Sequence, residues 1–273
     1  MTEIWGVIRT KGQAPYLKQV IEAVQKYLDG IVLIDNNQKP IHFQKFNGVK
    51  YCHYDKAVAP MGSTDHRLYY ERSIDDDPNS LAGFYDYSFS QVPKGSWKLK
   101  LDDDDLWAKH KIASLRSILN NKSKNSIVYF SGINYLGKGN LSSHTPICGG
   151  RDHFVIGPEC DYKFINDELW EHLVVSPRAK KYYIGITYLH LKFFGLSVGY
   201  EKDYDLTNID YLRKINENNF KPLSYENYTI NPIDWLRHKC SWRLVGNNLL
   251  GAPELKKFIR EVYPTLKSII DDY

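Results

Sequence analysis

Four consecutive aspartates, Asp102 to Asp105, follow an alternating segment at residues 97–101. Alternation of apolar and polar residues indicates a strand, and alternate residues at a strand end point the same way. Asp102 and Asp104 can therefore present two carboxylates to one ion. Mn²⁺ and Mg²⁺ prefer oxygen ligands and commonly bridge to substrate phosphates. The run predicts a Mn²⁺ or Mg²⁺ site. In the alternative interpretation, the other aspartates are solvated and Asp105 only caps the next helix, a cap that we also expect beside the metal site.

A second acidic run, Asp75 to Asp77, lacks a preceding apolar strand. Pro78 and Asn79 follow it, and both residue types favour a loop. We expect these three carboxylates to be solvated and to play no part in the chemistry.

An apolar strand that ends in Asp-x-Asp-Asp, after an N-terminal strand and an Ile-Asp-Asn-Asn turn at residues 34–37, resembles the GT-A glycosyltransferases, especially the family 2-like ones. The resemblance covers roughly residues 4–190, in the order and spacing of motifs. It implies transfer of a sugar from a nucleotide-diphosphate donor, UDP-linked by expectation. Asp102 and Asp104 would hold the cation, which neutralises the charge that develops on the leaving diphosphate.

The same resemblance assigns a donor pocket to residues that follow the predicted strands: Arg9, Thr10, Asp35 and, within the acidic run, Asp103. A carboxylate at a strand end can accept a hydrogen bond from a ribose hydroxyl or a uracil N–H. For Asp35, which is followed by two asparagines, the alternative is an ordinary Asx turn.

Two further positions are expected near the metal. His190 lies where many GT-A enzymes place a third metal ligand, and Lys192 could pair with a phosphate. A histidine among apolar neighbours is otherwise a core residue with a satisfied ring, so both interpretations of His190 stay open.

The acceptor hydroxyl needs a base as it attacks. GT-A enzymes that invert the anomeric centre often carry an acidic pair at the start of a helix downstream of the metal motif, which here implies Asp167 and Glu168 in a helix over residues 166–174. Acids are also favoured at any helix N-terminus. Asp152 is a competing candidate, either as the base or as a residue that binds the acceptor sugar.

The elements that must position these residues read as an α/β fold. Apolar runs at 4–8 and 31–34 flank a segment with helical spacing, which favours a parallel β-α-β unit with its ligand site at the carboxyl ends of the strands. The remaining predicted elements are strands at 49–54, 97–101 and 126–130, helices at 80–92 and 106–119, a glycine-rich loop at 137–157, an apolar segment at 182–194 and an amphipathic helix at 253–270. We predict a GT-A (Rossmann-like), mostly parallel central sheet flanked by helices. Residues 1–200 would form the catalytic domain, and 201–273 a C-terminal helical extension packed on it.

Composition excludes several classes of protein. A net charge of +4 over 273 residues is too small to indicate a nucleic-acid partner. The four cysteines include no CxxC pair, so neither a zinc ribbon nor a thioredoxin-like site is expected. Because no apolar segment resembles a signal peptide or a membrane span, we expect a cytoplasmic protein with reduced thiols. Basic and aromatic residues near the C-terminus allow peripheral contact with the inner face of the membrane.

The expected acceptor is a glycan or a lipid-linked glycan, in the synthesis of a bacterial-type surface polysaccharide or lipopolysaccharide. Two other classes stay open. A metal-dependent nucleotidyltransferase would use the same carboxylates but release pyrophosphate, and a non-catalytic carbohydrate-binding protein would use them for Ca²⁺ and its tyrosines for sugars.

Overall fold

The computed structural model describes residues 2–12, 14–41, 46–135, 140–142, 153–168, 170–191, 222–224 and 261. Up to residue 102 the chain forms, in order, β1 (Ile4–Thr10), α1 (Leu17–Val24), a 3₁₀ turn (Gln25–Tyr27), β2 (Gly30–Asp35), β3 (Val49–His53), α2 (Thr64–Glu71), α3 (Leu81–Ser90) and β4 (Trp97–Asp102). β1 pairs in parallel with both β2 and β4, and β2 pairs in parallel with β3. The predicted β-α-β opening is confirmed.

After residue 102 the described chain adds mostly strands: β5 (Asp105–Trp107), α4 (Lys109–Asn120), β6 (Ser126–Tyr135), β7 (Asn140–Ser142), β8 (His153–Ile156), β9 (Tyr162–Asn166), β10 (Glu171–Val175), β11 (Lys180–His190) and β12 (Pro222–Ser224). The central run is β3-β2-β1-β4-β8-β6-β11. Among its described strands, every one but β8 runs in the same direction. The predicted α/β class with a mostly parallel central sheet is therefore confirmed.

Both faces of the sheet are covered, which explains why β1 and β2 are largely buried and are apolar up to the polar residues at their ends. Ile4 and Ile8 of β1 pack on the side that carries α1 and α4. Val7, on the opposite side of the same strand, packs with Phe84 and Phe89 of α3. The sheet is thus the middle layer of three.

Serine side chains cap the N-termini of two helices in the part of the chain before β4. The Oγ of Ser80 accepts a hydrogen bond from the Gly83 N–H at the start of α3 (3.0 Å), which satisfies a donor that the helix itself leaves unpaired. Ser63 caps α2 in the same way through the His66 N–H (3.2 Å). The sequence pattern did not predict α2, because its polar residues show little apolar periodicity.

The helix predicted at 166–174 is wrong: β9 and β10 form an antiparallel hairpin there, with Glu171 opposite Asn166. Phe164 and Leu173 are buried while their strand neighbours are more exposed, which is the two-residue period of a strand. The helix predicted at 106–119 is right only in part, since β5 occupies residues 105–107 before α4 begins.

The prediction that all three carboxylates of the second acidic run are solvated is wrong. Asp75 accepts hydrogen bonds from the Asn166 N–H (2.9 Å) and the Lys163 ammonium (2.8 Å), which attaches the β9–β10 hairpin to this loop. Asp77 accepts from the Asn79 N–H (2.7 Å), as in an Asx turn, and only Asp76 is exposed.

One residue of the predicted C-terminal helix, Glu261, is described. Its Oε2 accepts a hydrogen bond from the His110 N–H (2.7 Å) at the start of α4 and lies 2.8 Å from His110 Nδ1. Within the described residues, no helix combines the length and the hydropathy that crossing a membrane requires.

Candidate functional site

The candidate site lies at one edge of the sheet, where β1 and β4 end. Arg9 and Asp102 are register partners of these two parallel strands, so the residues that follow each strand also lie side by side. β8 runs in the opposite direction, which brings its first residue, His153, to the same edge. β11 ends there as well, with His190 opposite Asp105.

Asp102 is surrounded by basic groups. Its Oδ1 lies 2.9 Å from Arg9 Nη2, and its Oδ2 lies 3.4 Å from Lys100 Nζ and 3.1 Å from His153 Nε2. Burial disfavours the charged carboxylate, but Lys100, His153 and Arg9 outweigh it and hold the pKa of Asp102 below its ordinary value. Asp102 is therefore an anionic anchor for the basic groups around it.

Arg9 is fixed by an aromatic ring as well as by this carboxylate. The carbon at the centre of its guanidinium lies 3.3 Å from the centroid of the Tyr85 ring, on α3, and both side chains are buried. Stacking and ion pairing together hold the planar guanidinium in one orientation.

Asp103 lies beside Thr10, as the prediction of a common pocket requires. The Thr10 hydroxyl donates to Asp103 Oδ2 at 2.5 Å. Burial and the neighbouring carboxylates of Asp104 and Asp102 raise the pKa of Asp103 to about 8, although the Thr10 hydrogen bond acts in the opposite direction.

Asp105 does not cap α4, in contrast to the alternative considered from the sequence. The helix begins at Lys109, and Glu261 accepts from its first turn. Asp105 instead opens β5 with its side chain fully buried, and burial raises the pKa of its carboxyl despite the nearby His153.

Asp104 and His190 lie next to each other, which the prediction that both bind one ion requires. His190 Nε2 is 3.3 Å from Asp104 Oδ1, and both residues are buried. The Leu191 N–H also donates to the Asp104 carbonyl oxygen (2.9 Å), which ties the end of β11 to the acidic run.

The acidic run contributes to two groups of potential metal ligands. One combines Asp102, Asp105 and His153, and the other combines Asp104, Asp105 and His190; within each group the ligand atoms lie within 4.8 Å of one another. Carboxylate oxygens with imidazole nitrogen suit a divalent cation such as Mn²⁺. Asp105 Oδ1 is buried and has no hydrogen-bond partner within the described part of the chain. These residues therefore fit a metal ion, and the predicted ligands Asp102 and Asp104 fall in different groups.

Asp35 is buried at the end of β2, and its carboxylate orders the loop that follows. It accepts from the Asn37 N–H (2.9 Å), the Ile41 N–H (2.8 Å) and the Tyr51 hydroxyl (2.6 Å). Burial opposes ionisation, but these hydrogen bonds, with Tyr51 the strongest, hold the pKa of Asp35 below its ordinary value. The Asx-turn interpretation is confirmed, and contact with a nucleotide stays a prediction.

Asp167 and Glu168 lie in the turn of the β9–β10 hairpin instead of at a helix N-terminus. Asp167 Oδ1 accepts from the Glu168 N–H (2.7 Å), and the Asp167 carbonyl oxygen lies 2.8 Å from His66 Nε2. Glu168 is exposed. No hydrogen bond or ion pair among the described residues joins either acid to the aspartate run. Asp152 and Lys192 lie outside the described residues.

Four residues of the site were not predicted from the sequence: Lys100, Tyr85, His153 and Tyr188. The Tyr188 hydroxyl lies 2.6 Å from His153 Nδ1 in the interior. A weak signal for His153 was available, because it directly precedes the apolar run 154–156. Had that run been assigned as a strand antiparallel to β4, its first residue would have been placed at the same edge of the sheet as Asp102.

No family model matches the chain, and no curated protein matches it. The chain is similar to a solved structure described as the crystal structure of a mycobacterial protein, with a TM-score of 0.36 and 8% sequence identity, over 68% of this chain and 67% of that one. At that TM-score the similarity says nothing about function.

Proposed function

We propose that the chain is a metal-dependent glycosyltransferase of the GT-A type, which transfers a sugar from a nucleotide-diphosphate donor to a glycan or lipid-linked acceptor. One observation carries the proposal: buried carboxylates and imidazoles collect at the carboxyl edge of a mostly parallel sheet, beside Arg9 and Thr10. Ligands of open α/β sheets bind at this edge.

Metal would be held by the buried groups Asp104, Asp105 and His190, or by the neighbouring group that includes Asp102. A cation bound there supplies positive charge to the leaving diphosphate. Retention of carboxylates in the interior is costly unless they are paired, and this cost favours a site that is built to bind a cation.

Arg9 and Thr10, the polar residues at the end of β1, have different roles in the proposed donor site. Arg9 is oriented by Tyr85 and Asp102, so its positive charge is fixed before any donor binds. Such preorganised charge stabilises a developing anion better than a mobile side chain, because little reorganisation is needed during the reaction. Thr10 holds Asp103 at the same edge.

The acceptor side of the proposal depends on a base, for which Asp167, Glu168 and Asp152 are the candidates. Asp167 is positioned by the hairpin turn and by the contact of its carbonyl oxygen with His66. Replacement of each acid by its amide, followed by measurement of transfer and of donor hydrolysis, identifies the base as the variant that loses transfer while donor binding is kept.

The donor is identified by a thermal-shift screen of nucleotide sugars with and without Mn²⁺. A ligand that binds the native state and not the unfolded chain raises the melting temperature, and the increase grows with the logarithm of ligand concentration relative to the dissociation constant. We expect stabilisation by one class of nucleotide sugar in the presence of Mn²⁺ and its loss in Asp104→Asn. The matched control is Asp76→Asn, in the exposed part of the other acidic run. Stabilisation by glycans alone, or pyrophosphate release from a nucleoside triphosphate, would favour the other two classes.

A further inference from the structure

The two carboxylate oxygens of Asp105 have different surroundings. Oδ2 accepts a hydrogen bond from the Asp102 N–H (3.1 Å) and lies 2.8 Å from His153 Nε2. Oδ1 is buried and has no hydrogen-bond partner among the residues described. A buried carboxylate oxygen in this state has lost its hydration without replacement, which is costly unless a ligand compensates.

Asp104 and His190 supply the rest of a ligand set around Asp105. The ligand atoms of the three residues lie within 4.8 Å of one another, and all three residues are buried. They come from the β4–β5 turn, the start of β5 and the end of β11, and the antiparallel pairing of His190 with Asp105 keeps them together. Two of the three residues therefore belong to paired strands, and Asp104 lies in the short turn that joins β4 to β5.

Asp102 differs from Asp105 in its charge environment. Arg9 and Lys100, which are both buried, lie within 3.4 Å of its two oxygens. A divalent cation at Asp102 would be repelled by these two positive charges, and at such short range this repulsion is strong in a partly buried site. Asp105 has no lysine or arginine ion pair among the described residues.

We propose that Asp105, and not Asp102, completes the cation site with Asp104 and His190. His153 and Tyr188 are positioning residues in this arrangement. His153 Nε2 lies 2.8 Å from Asp105 Oδ2, which would leave Oδ1 for the ion, while the Tyr188 hydroxyl, 2.6 Å from Nδ1, fixes the ring from its other side. Asp102 anchors Arg9 and Lys100. This inference rests on the metal dependence of the proposed function.

Mn²⁺ binding to the full chain without any donor tests the ligand assignment, with free Mn²⁺ followed by electron paramagnetic resonance. We expect Asp105→Asn to weaken Mn²⁺ binding at least about tenfold and Asp102→Asn to change it less than about threefold; tenfold in affinity corresponds to about 1.4 kcal/mol. Asp76→Asn is the control with the same change of side chain. If Asp102→Asn loses Mn²⁺ while Asp105→Asn binds it as the wild type does, the inference is overturned.

Because a variant of a buried acid could fail to fold, pulsed resonance on Mn²⁺ bound to folded protein supplies a second measurement. We expect a coupled imidazole nitrogen that disappears in His190→Gln and persists in His153→Gln. The reverse pattern would place the ion in the group with His153 and contradict the proposal.

Mn²⁺ affinity of two His153 variants tests the positioning role of His153. Gln at position 153 can still donate toward Asp105, whereas Leu cannot, so Mn²⁺ affinity should be largely kept in His153→Gln and reduced in His153→Leu. Equal affinities in the two variants would exclude the role. Since these measurements use no donor, a chain that binds Mn²⁺ as expected but releases no nucleoside diphosphate contradicts the proposed function alone. Mn²⁺-dependent transfer with an unaffected Asp105→Asn contradicts this inference alone.

Discussion

Nη2 of Arg9 lies 2.9 Å from Oδ1 of Asp102, and the two residues are register partners at the ends of adjacent parallel strands. The strand pairing fixes both backbones, and the Tyr85 ring stacks on the guanidinium from the side of α3. The positive charge at this edge of the sheet is thus set by the fold itself, and its loss should affect stability as well as donor binding.

Replacement of Arg9 by Lys tests this coupling. Lysine keeps the charge but lacks the planar group that stacks on Tyr85 and pairs with a carboxylate. We expect a loss of about 1 to 3 kcal/mol in the free energy of unfolding, measured with urea, because the buried pair is weakened. Arg67→Lys, an exposed change of the same kind, should lie within about 0.5 kcal/mol of the wild type. Equal stability of Arg9→Lys and the wild type would contradict the role of the stack.

Ionisation of Asp35 should make the free energy of unfolding depend on pH. Its pKa in the folded chain is below the ordinary value, so its ionised form contributes stability above the unfolded pKa, and this contribution is lost as pH falls through the folded pKa. Asp35→Asn should therefore be less stable than the wild type by about 1 to 3 kcal/mol at pH 6, with a difference that narrows toward pH 3. Urea unfolding at several pH values measures it. A difference that stays constant across this range would show that ionisation of Asp35 is not involved.

Glu261 should stabilise the core from the C-terminal region. It accepts a hydrogen bond from a first-turn N–H of α4, where Ala108, the residue before the helix, offers no side-chain acceptor. Glu261→Ala should cost about 1 kcal/mol of unfolding free energy, as the loss of other N-terminal helix caps does. Glu71→Ala, at the exposed end of α2, is the control. A melting temperature unchanged in Glu261→Ala would mean that this contact contributes nothing.

Peripheral membrane contact through the C-terminal region stays a separate prediction. Flotation of the full chain with liposomes that contain anionic lipid tests it, because basic residues and an amphipathic helix bind such surfaces. Protein that remains entirely in the soluble fraction would reject it.

Gly132 on β6 leaves room for the tyrosine that contacts His153. A Cβ added at this position would lie 2.2 Å from the Tyr188 ring, far inside the contact distance. Gly132→Ala should destabilise the fold by about 1 to 3 kcal/mol and displace Tyr188. In a Tyr188→Leu background the same change should cost less, because the smaller side chain relieves the clash. Additive costs in the double variant would argue against direct contact.

Local patterns made much of the fold predictable. The apolar runs of β1 and β2, the alternation of β4 and the serine that starts α3 depend on neighbouring residues alone, so their spacing in the sequence is sufficient. The aspartate run was placed correctly at a strand end for the same reason. The resemblance assigned Thr10 and Asp103 to one pocket, and the two residues do lie together because parallel neighbouring strands end at the same edge.

The parts of the fold and site that the sequence did not predict depend on the pairing between strands. The sequence of the β9–β10 hairpin fits a helix as well as a strand, because its apolar residues recur at helical spacing and at strand spacing. Only the pairing of the two strands decides between the two structures. His153 reaches Asp105 through the pairing of β8 with β4 and β6, and no local motif marks this contact. The prediction that Asp105 starts a helix is wrong, because β5 separates it from α4. β5 forms by pairing with β11, and the local sequence does not show this pairing.

Metal-dependent cleavage of a nucleotide sugar is the most direct test of the central claim. Purified chain is incubated with the donor that the screen identifies, with Mn²⁺ or with a chelator, and the released nucleoside diphosphate is quantified. We predict release that requires Mn²⁺, falls at least about a hundredfold in Asp104→Asn and is unchanged in Asp76→Asn, since loss of charge stabilisation in the transition state costs about 2.7 kcal/mol or more. Release at the same rate with the chelator, or in Asp104→Asn, would contradict the account.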